Sequence, residues 1–256
     1  MASARSIDGS PPTGDAELAA RIADSAGRLL VQLRSDGLLD GPAAGRAGDL
    51  LANGLIIAAL KQWRPDDAIL SEESPDWPDR LGKSRVWIVD PLDGTREYSE
   101  GRDDWAVHIA LAIDGAASVG AVAVPARGLL YRSDEAELPE PAPGRRPIML
   151  VSRTRAPDQA AELAAAVGAE IVAMGSAGAK AMALVAGEAD IYFHAGGQHE
   201  WDNCAPAAVA AAAGLHVTRC DGSPLLYNQE RPYIPDLLIC RSELAAPLLS
   251  ALADLA

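Results

Sequence analysis

The chain has 256 residues, 49% of them hydrophobic, and carries 36 acidic against 22 basic side chains for a formal net charge of -14. It can bury a full core as one large domain or two lobes, but it lacks the basic surplus of a protein that tracks a nucleic-acid backbone. A phosphate substrate stays open, provided a divalent cation in a nest of carboxylates cancels charge locally.

Residues 1–14 are rich in Ser, Pro and Gly and read as a loose leader. From Asp15 the apolar positions Leu18, Ile22, Leu29, Leu30 and Leu33 recur at helical spacing, and a second helix is predicted from about Asp49 through Ile56 and Leu60 to Trp63. Between them RSDGLLDGPAAGRAG, with four glycines and a proline, reads as a mobile loop. RVWIVD ends a strand on Asp90, REYSE suits a short helix, and WAVHIALAID, AASVGAVAV and GLLYRS form a hairpin meander. ELPEPAPGRRP, with four prolines, is the best internal linker. It divides residues 15–145, an α+β N-terminal lobe with the candidate metal site, from residues 146–256, where strands and helices alternate as in α/β layering.

Cys204, Cys220 and Cys240 are too far apart for a zinc or redox motif, and their odd number suits a reducing, cytoplasmic setting. Neither a signal-peptide core nor an uninterrupted run of about 18 apolar residues is evident, so no membrane partner is expected.

The chemistry gathers at WIVDPLDGT, residues 87–95, where an apolar strand stops in acid, proline, acid, glycine and hydroxyl. Pro91 restricts the turn so that Asp90 and Asp93 can aim at one point, Gly94 admits an anion to the backbone, and Thr95 offers a hydroxyl. Asp93-Gly94-Thr95 alone also reads as a surface turn followed by a helix cap. Two further acidic segments strengthen the functional reading: SEES at 71–74, and EWDNCAP at 200–206, which places Asp202 at the start of an apolar helix.

IVDPLDGTREY followed by WDNCAP, with EES before them, resembles the inositol monophosphatase superfamily of lithium-sensitive, magnesium-dependent phosphomonoesterases. The resemblance implies alternating α and β layers, the α+β and α/β sandwich of the sugar phosphatases, and an activity that uses two or three Mg²⁺ ions and is inhibited by Li⁺. It makes Glu73, the second acid of EES, a metal ligand and water-orienting base, with Glu72 the neighbour that could be confused with it. Asp90 would bridge two metals, the Leu92 carbonyl would complete one site, and Asp93 and Asp202 would form the other. The amides of Gly94 and Thr95 would hold phosphate, and Thr95 with Asp49 would polarise the attacking water.

For the substrate, the inositol-type acid seven residues before the WD aspartate is replaced by Ala195. Lys180, in the helix after the Gly175-Ser176 step, sits where the branch acting on adenosine 3',5'-bisphosphate has a lysine able to hold a second phosphate. Against that branch, His194 stands in place of an arginine, and the glycine-rich 34–48 segment replaces its usual loop. A solvated helix face for Lys180 and a merely packed ring for His194 are the plain alternatives. The resemblance therefore ranks hydrolysis of adenosine 3',5'-bisphosphate to AMP, in sulfate assimilation, first. Inositol phosphate and fructose 1,6-bisphosphate are alternative or additional substrates. Substrate-facing residues would be Asp93, Gly94, Thr95, Ser176, Lys180, His194 and Asp202. A non-catalytic binder of phosphorylated metabolites would show a broken carboxylate set, which this chain does not have. The family pattern leans towards a homodimer.

Overall fold

The computed structural model describes residues 12–141 and 143–255; most of the expected leader, residues 1–11, lies outside them. Helices α1 (Asp15–Ser35) and α2 (Gly41–Trp63) open the chain. They precede a first sheet of β1 (Ala68–Ser71), β2 (Arg85–Asp93), β3 (Ala106–Ile113), β4 (Ala116–Val124) and β5 (Leu129–Arg132) in that spatial order. Strands β1 and β2 run parallel and the rest form the antiparallel meander. Helix α3 (Thr95–Ser99) interrupts the chain directly after β2.

The second sheet contains β6 (Ile148–Ser152), β7 (Glu170–Met174), β8 (Ile191–His199), β9 (His216–Thr218) and β10 (Tyr233–Cys240), ordered β7-β6-β8-β10-β9. Around it lie α4 (Ala160–Ala166), α5 (Ala177–Val185), α6 (Glu200–Ala212) and α7 (Ser242–Asp254). The division between the sheets thus falls between Arg132 and Ile148.

Strand alternation explains the layering. On β2 and β3, Trp87, Val89, Val107, Ile109 and Leu111 face one way and pack with Leu18, Ile22, Leu30, Ile56 and Leu60 of α1 and α2. Val86, Ile88, Ala106 and Ala110 face the other way and share a core with Met182, Leu184, Val209, Tyr192 and Leu237, so α5 and α6 lie between the two sheets. A third cluster, with Leu163, Phe193, Leu238 and Leu248, seats α4 and α7 on the outer face of the second sheet. The order of layers is helix, sheet, helix, sheet, helix.

The glycine-rich segment departs from the sequence reading. It is not a mobile loop: α2 begins at Gly41, with Pro42 in its first turn, where a proline's missing N–H is no loss. Two of its glycines, Gly45 and Gly48, meet packing demands. A Cβ on Gly45 would lie 2.5 Å from the Ser99 hydroxyl, and one on Gly48 would lie 2.9 Å from a Leu30 methyl. Helix α2 is long and apolar enough by composition to cross a bilayer, yet here it packs against α1, α3 and β2.

Candidate active site

Even-numbered side chains of β2 point at the layer holding α5 and α6, and the last of them is Asp90. It is 1% exposed, stands opposite His108 of β3, and accepts the Leu92 amide at 3.0 Å. A break in the β2–β3 register between Asp90 and Asp93 lets both acids turn to one side. Gly94 carries the reversal at φ 89, a left-handed conformation that glycine adopts without a Cβ penalty. Asp202, in the first turn of α6, accepts the His199 amide at 2.6 Å through one oxygen. The capping role is therefore present together with a second carboxylate oxygen left for the site. Ligand oxygens of Asp90, Asp93 and Asp202 all lie within 4.8 Å of one another.

The electrostatics reflect that crowding. Burial, and then the charges of Glu72, Asp93 and Asp202, raise the Asp90 pKa well above the usual carboxylate range. Burial and the Asp93 charge likewise raise Asp202. Burial pushes Asp93 up too, but the His108 ring 3.2 Å away, the Ser176 hydroxyl and the Gly178 amide at 2.7 Å hold it below its ordinary value. Three clustered oxygen-donor carboxylates that repel one another are a set a hard divalent cation relieves.

Residues 46–254 match the Inositol monophosphatase family. The chain belongs to that family. Its relatives include a Mycobacterium tuberculosis protein named 3'-phosphoadenosine 5'-phosphate phosphatase, 52% identical over 240 residues and covering 90% of each chain. The Escherichia coli 3'(2'),5'-bisphosphate nucleotidase CysQ is 32% identical across 73% of this chain and 81% of its own. The crystal structure of CysQ from Bacteroides thetaiotaomicron superposes with a TM-score of 0.77 at 26% identity, covering 89% of this chain and 97% of that one. Members of the inositol monophosphatase family are metal-dependent, and the relatives named here act on small phosphorylated metabolites.

Within this family member, the EES segment is arranged differently from the expectation. Glu72, not Glu73, joins the aspartates. Ser71 pairs with Val89 in the parallel β1–β2 ladder, and the Glu72 amide continues the ladder to the Val89 carbonyl at 3.3 Å, so Glu72 arrives beside Asp90. Although Glu72 keeps an exposed edge, desolvation of its carboxyl among the acids, then the Asp202 charge, pushes it up to about 7, while its hydrogen bond with Asp90 works the other way. Glu73 instead raises the proton affinity of Asp49. Asp49 is buried on α2, and its Oδ1 lies 3.5 Å from Thr95 Oγ1. The same hydroxyl lies 3.1 Å from the Leu92 carbonyl, the group expected on a metal.

Beside the acids opens a cavity of about 410 Å³, lined among others by Asp93, Gly94, Thr95, Ser176, Lys180, His194 and Asp202. Ser176 caps α5 and donates to Asp93. Lys180 is no solvated helix face: it is 4% exposed, its ammonium lies 4.9 Å above the Tyr192 ring, and burial lowers its pKa to about 8. His194 is buried with Nε2 3.0 Å from the Gly197 carbonyl.

Sequence reasoning named Glu72 only as the neighbour of Glu73, and it missed His108, Arg153 and Arg155. A lone histidine in the apolar strand AVHIALAI was the signal for the first, and SRTR directly after an apolar strand for the other two. Arg153 binds Glu97 at 2.9 Å and Glu100 at 2.8 Å, tying the loop after β6 to α3. Asp104 accepts the Gly175 amide at 2.8 Å, which holds the loop before α5 against the same helix region.

Proposed function

We propose that this protein is a magnesium-dependent phosphomonoesterase that removes the 3'-phosphate of adenosine 3',5'-bisphosphate, yielding AMP and inorganic phosphate. The observation that carries this reading is the cluster of buried Asp90 and Asp93 with half-buried Asp202, which opens onto a cavity that also holds cationic side chains. The names of the 52% and 32% identical relatives support the choice of substrate.

Asp90, Asp93, Asp202 and Glu72, with the Leu92 carbonyl, are the residues that would hold Mg²⁺. When bound, the metal supplies the charge that draws a phosphate dianion into an acidic protein and stabilises the departing alkoxide. The backbone at Gly94 and Thr95 seats the reacting phosphate. Asp49 and Thr95 orient the attacking water: an ionised Asp49 takes the Thr95 hydroxyl proton as a hydrogen bond, and a Thr95 lone pair then faces the water. With its pKa pushed up to about 7 by burial and by Glu73, Asp49 is poised to accept a proton near neutral pH. The water oxygen bonds to phosphorus, the ester oxygen leaves, and that oxygen regains a proton as the ribose hydroxyl.

Phosphate release from adenosine 3',5'-bisphosphate, inositol 1-phosphate and fructose 1,6-bisphosphate, each with Mg²⁺ alone, with Li⁺ added and after chelation, tests the proposal. The nucleotide should be preferred at least roughly tenfold in kcat/KM, and chelation should abolish turnover. Asp90→Asn should lose roughly a thousandfold, about 4 kcal/mol of transition-state stabilisation. Equal rates on the three esters would overturn the substrate, and full activity of Asp90→Asn would overturn the mechanism.

A further inference from the structure

Five basic side chains line the cavity: Arg96, Arg153, Arg155, Lys180 and His194. Three are committed within the protein. The Lys180 ammonium faces three carbonyls, those of Ser176, Gly175 at 3.3 Å and Met174 at 3.5 Å, so its three donors hold the loop that carries Ser176 to Asp93. Arg153 is engaged by Glu97 and Glu100. His194 directs Nε2 at the Gly197 carbonyl, which can only accept, so the ring's N–H is spent there. Its Nδ1 is buried without a partner, and burial lowers the ring's pKa. The neutral ring therefore has no donor left for an anion, which removes it from the role expected of an arginine at that point.

Arg96 and Arg155 remain, and neither guanidinium has a hydrogen bond or ion pair among the described residues. They occupy different places. Arg96 follows Thr95 in α3, beside the turn that seats the reacting phosphate. Arg155 comes from the loop after β6, the strand that pairs with β8 with Leu150 opposite Tyr192, and it lines the cavity together with Tyr192 and His194 of β8. Tyr192 is the ring beneath Lys180, so Arg155 belongs to the end of the cavity built from β8 and α5.

A phosphate dianion there needs a donor that is charged, unspent and able to fork onto two oxygens, and a guanidinium meets all three requirements. We propose that Arg155 binds the second, non-reacting phosphate of a bisphosphate substrate and so sets the preference for a bisphosphate over a monophosphate. This inference rests on the bisphosphate reading above. Lys180 acts as a positioning residue that holds the Ser176 loop and adds background positive charge.

The test compares adenosine 3',5'-bisphosphate with adenosine 3'-monophosphate, which share the reacting ester and differ only in the second phosphate. The readout is the ratio of kcat/KM on the two. Arg155→Ala should lower that ratio at least roughly tenfold, Arg155→Lys should restore part of it, and Arg96→Ala should shift it less than about threefold. Calorimetric binding of AMP, which keeps the 5'-phosphate, should weaken by a similar factor in Arg155→Ala. A wild-type protein that prefers the bisphosphate, with a ratio unchanged in Arg155→Ala or collapsed in Arg96→Ala, refutes Arg155 alone. A wild-type protein that treats the two substrates equally refutes the bisphosphate reading itself.

Discussion

Replacing Asp49 by asparagine should make the metal-free protein more stable and the enzyme much slower. Asp49 is 8% exposed; burial and then the Glu73 charge raise its pKa from 3.8 to about 7, against the opposing hydrogen bond from Thr95. At about 1.4 kcal/mol for each tenfold change in proton affinity, that rise amounts to about 4 kcal/mol against folding once the carboxyl is ionised. Asp49 keeps 8% of its surface in solvent, which screens part of that cost, and about 2 kcal/mol is the expected net value. The sign follows from linkage. Below pH about 4 the folded and unfolded chains both keep the proton and no cost arises. As the pH climbs towards about 7 only the unfolded chain releases it, so stability is lost, and the loss is complete above that value.

Urea and thermal unfolding with chelator present, at pH 8 and pH 4, measure the effect. Asp49→Asn should gain about 2 kcal/mol at pH 8, roughly a 5 °C rise in Tm, and the gain should vanish near pH 4. With Mg²⁺ its kcat should fall roughly a hundredfold or more, because the amide no longer accepts the Thr95 proton as a base does. A variant less stable than wild type at pH 8, or a gain that persists undiminished at pH 4, would refute the reasoning.

Gly178→Ala should damage the site through packing alone: the added Cβ would fall 2.0 Å from His108 Nε2. We expect about 2 kcal/mol of destabilisation together with lost activity, as the 178 amide and Ser176 withdraw from Asp93; unchanged unfolding would argue that α5 can shift freely. Arg80 is 2% exposed and joins Asp76 to Asn228 and the Gln229 carbonyl. Arg80→Ala should therefore cost about 2 kcal/mol by urea unfolding, less than for a fully buried pair because Asp76 stays wet, and a neutral result would show that the bridge contributes nothing.

The local chemistry of the site was legible because it is written in short patterns. Near-continuous apolar runs along RVWIVD and AVHIALAI marked strands with two buried faces, and apolar positions at helical spacing marked α1 and the later part of α2. The abrupt Asp-Pro-Leu-Asp-Gly-Thr stop marked where acids would gather. The short strand Ala68–Ser71 was not recognised, since four residues carry too little alternation to distinguish a strand from a loop. Composition also misled at Gly41–Gly48: glycine lowers helix propensity, but here the lack of side chains lets α2 approach α3 and Leu30, and packing outweighs propensity.

The amino-acid sequence by itself determined the family, the layered fold and the aspartates Asp90, Asp93 and Asp202, because strand-end chemistry and the start of an apolar helix are local properties. Only the tertiary structure decided which acid of Glu72 and Glu73 meets them, since that depends on the register of β1 against β2, and a slip of one residue reverses every side chain. It also decided which cations are free. Lys180 and Arg155 are both ordinary basic residues in the sequence. One has its donors absorbed by backbone carbonyls within its own loop, while the other is brought to the cavity that Tyr192 and His194 also line by chain closure across distant segments, which no local pattern encodes.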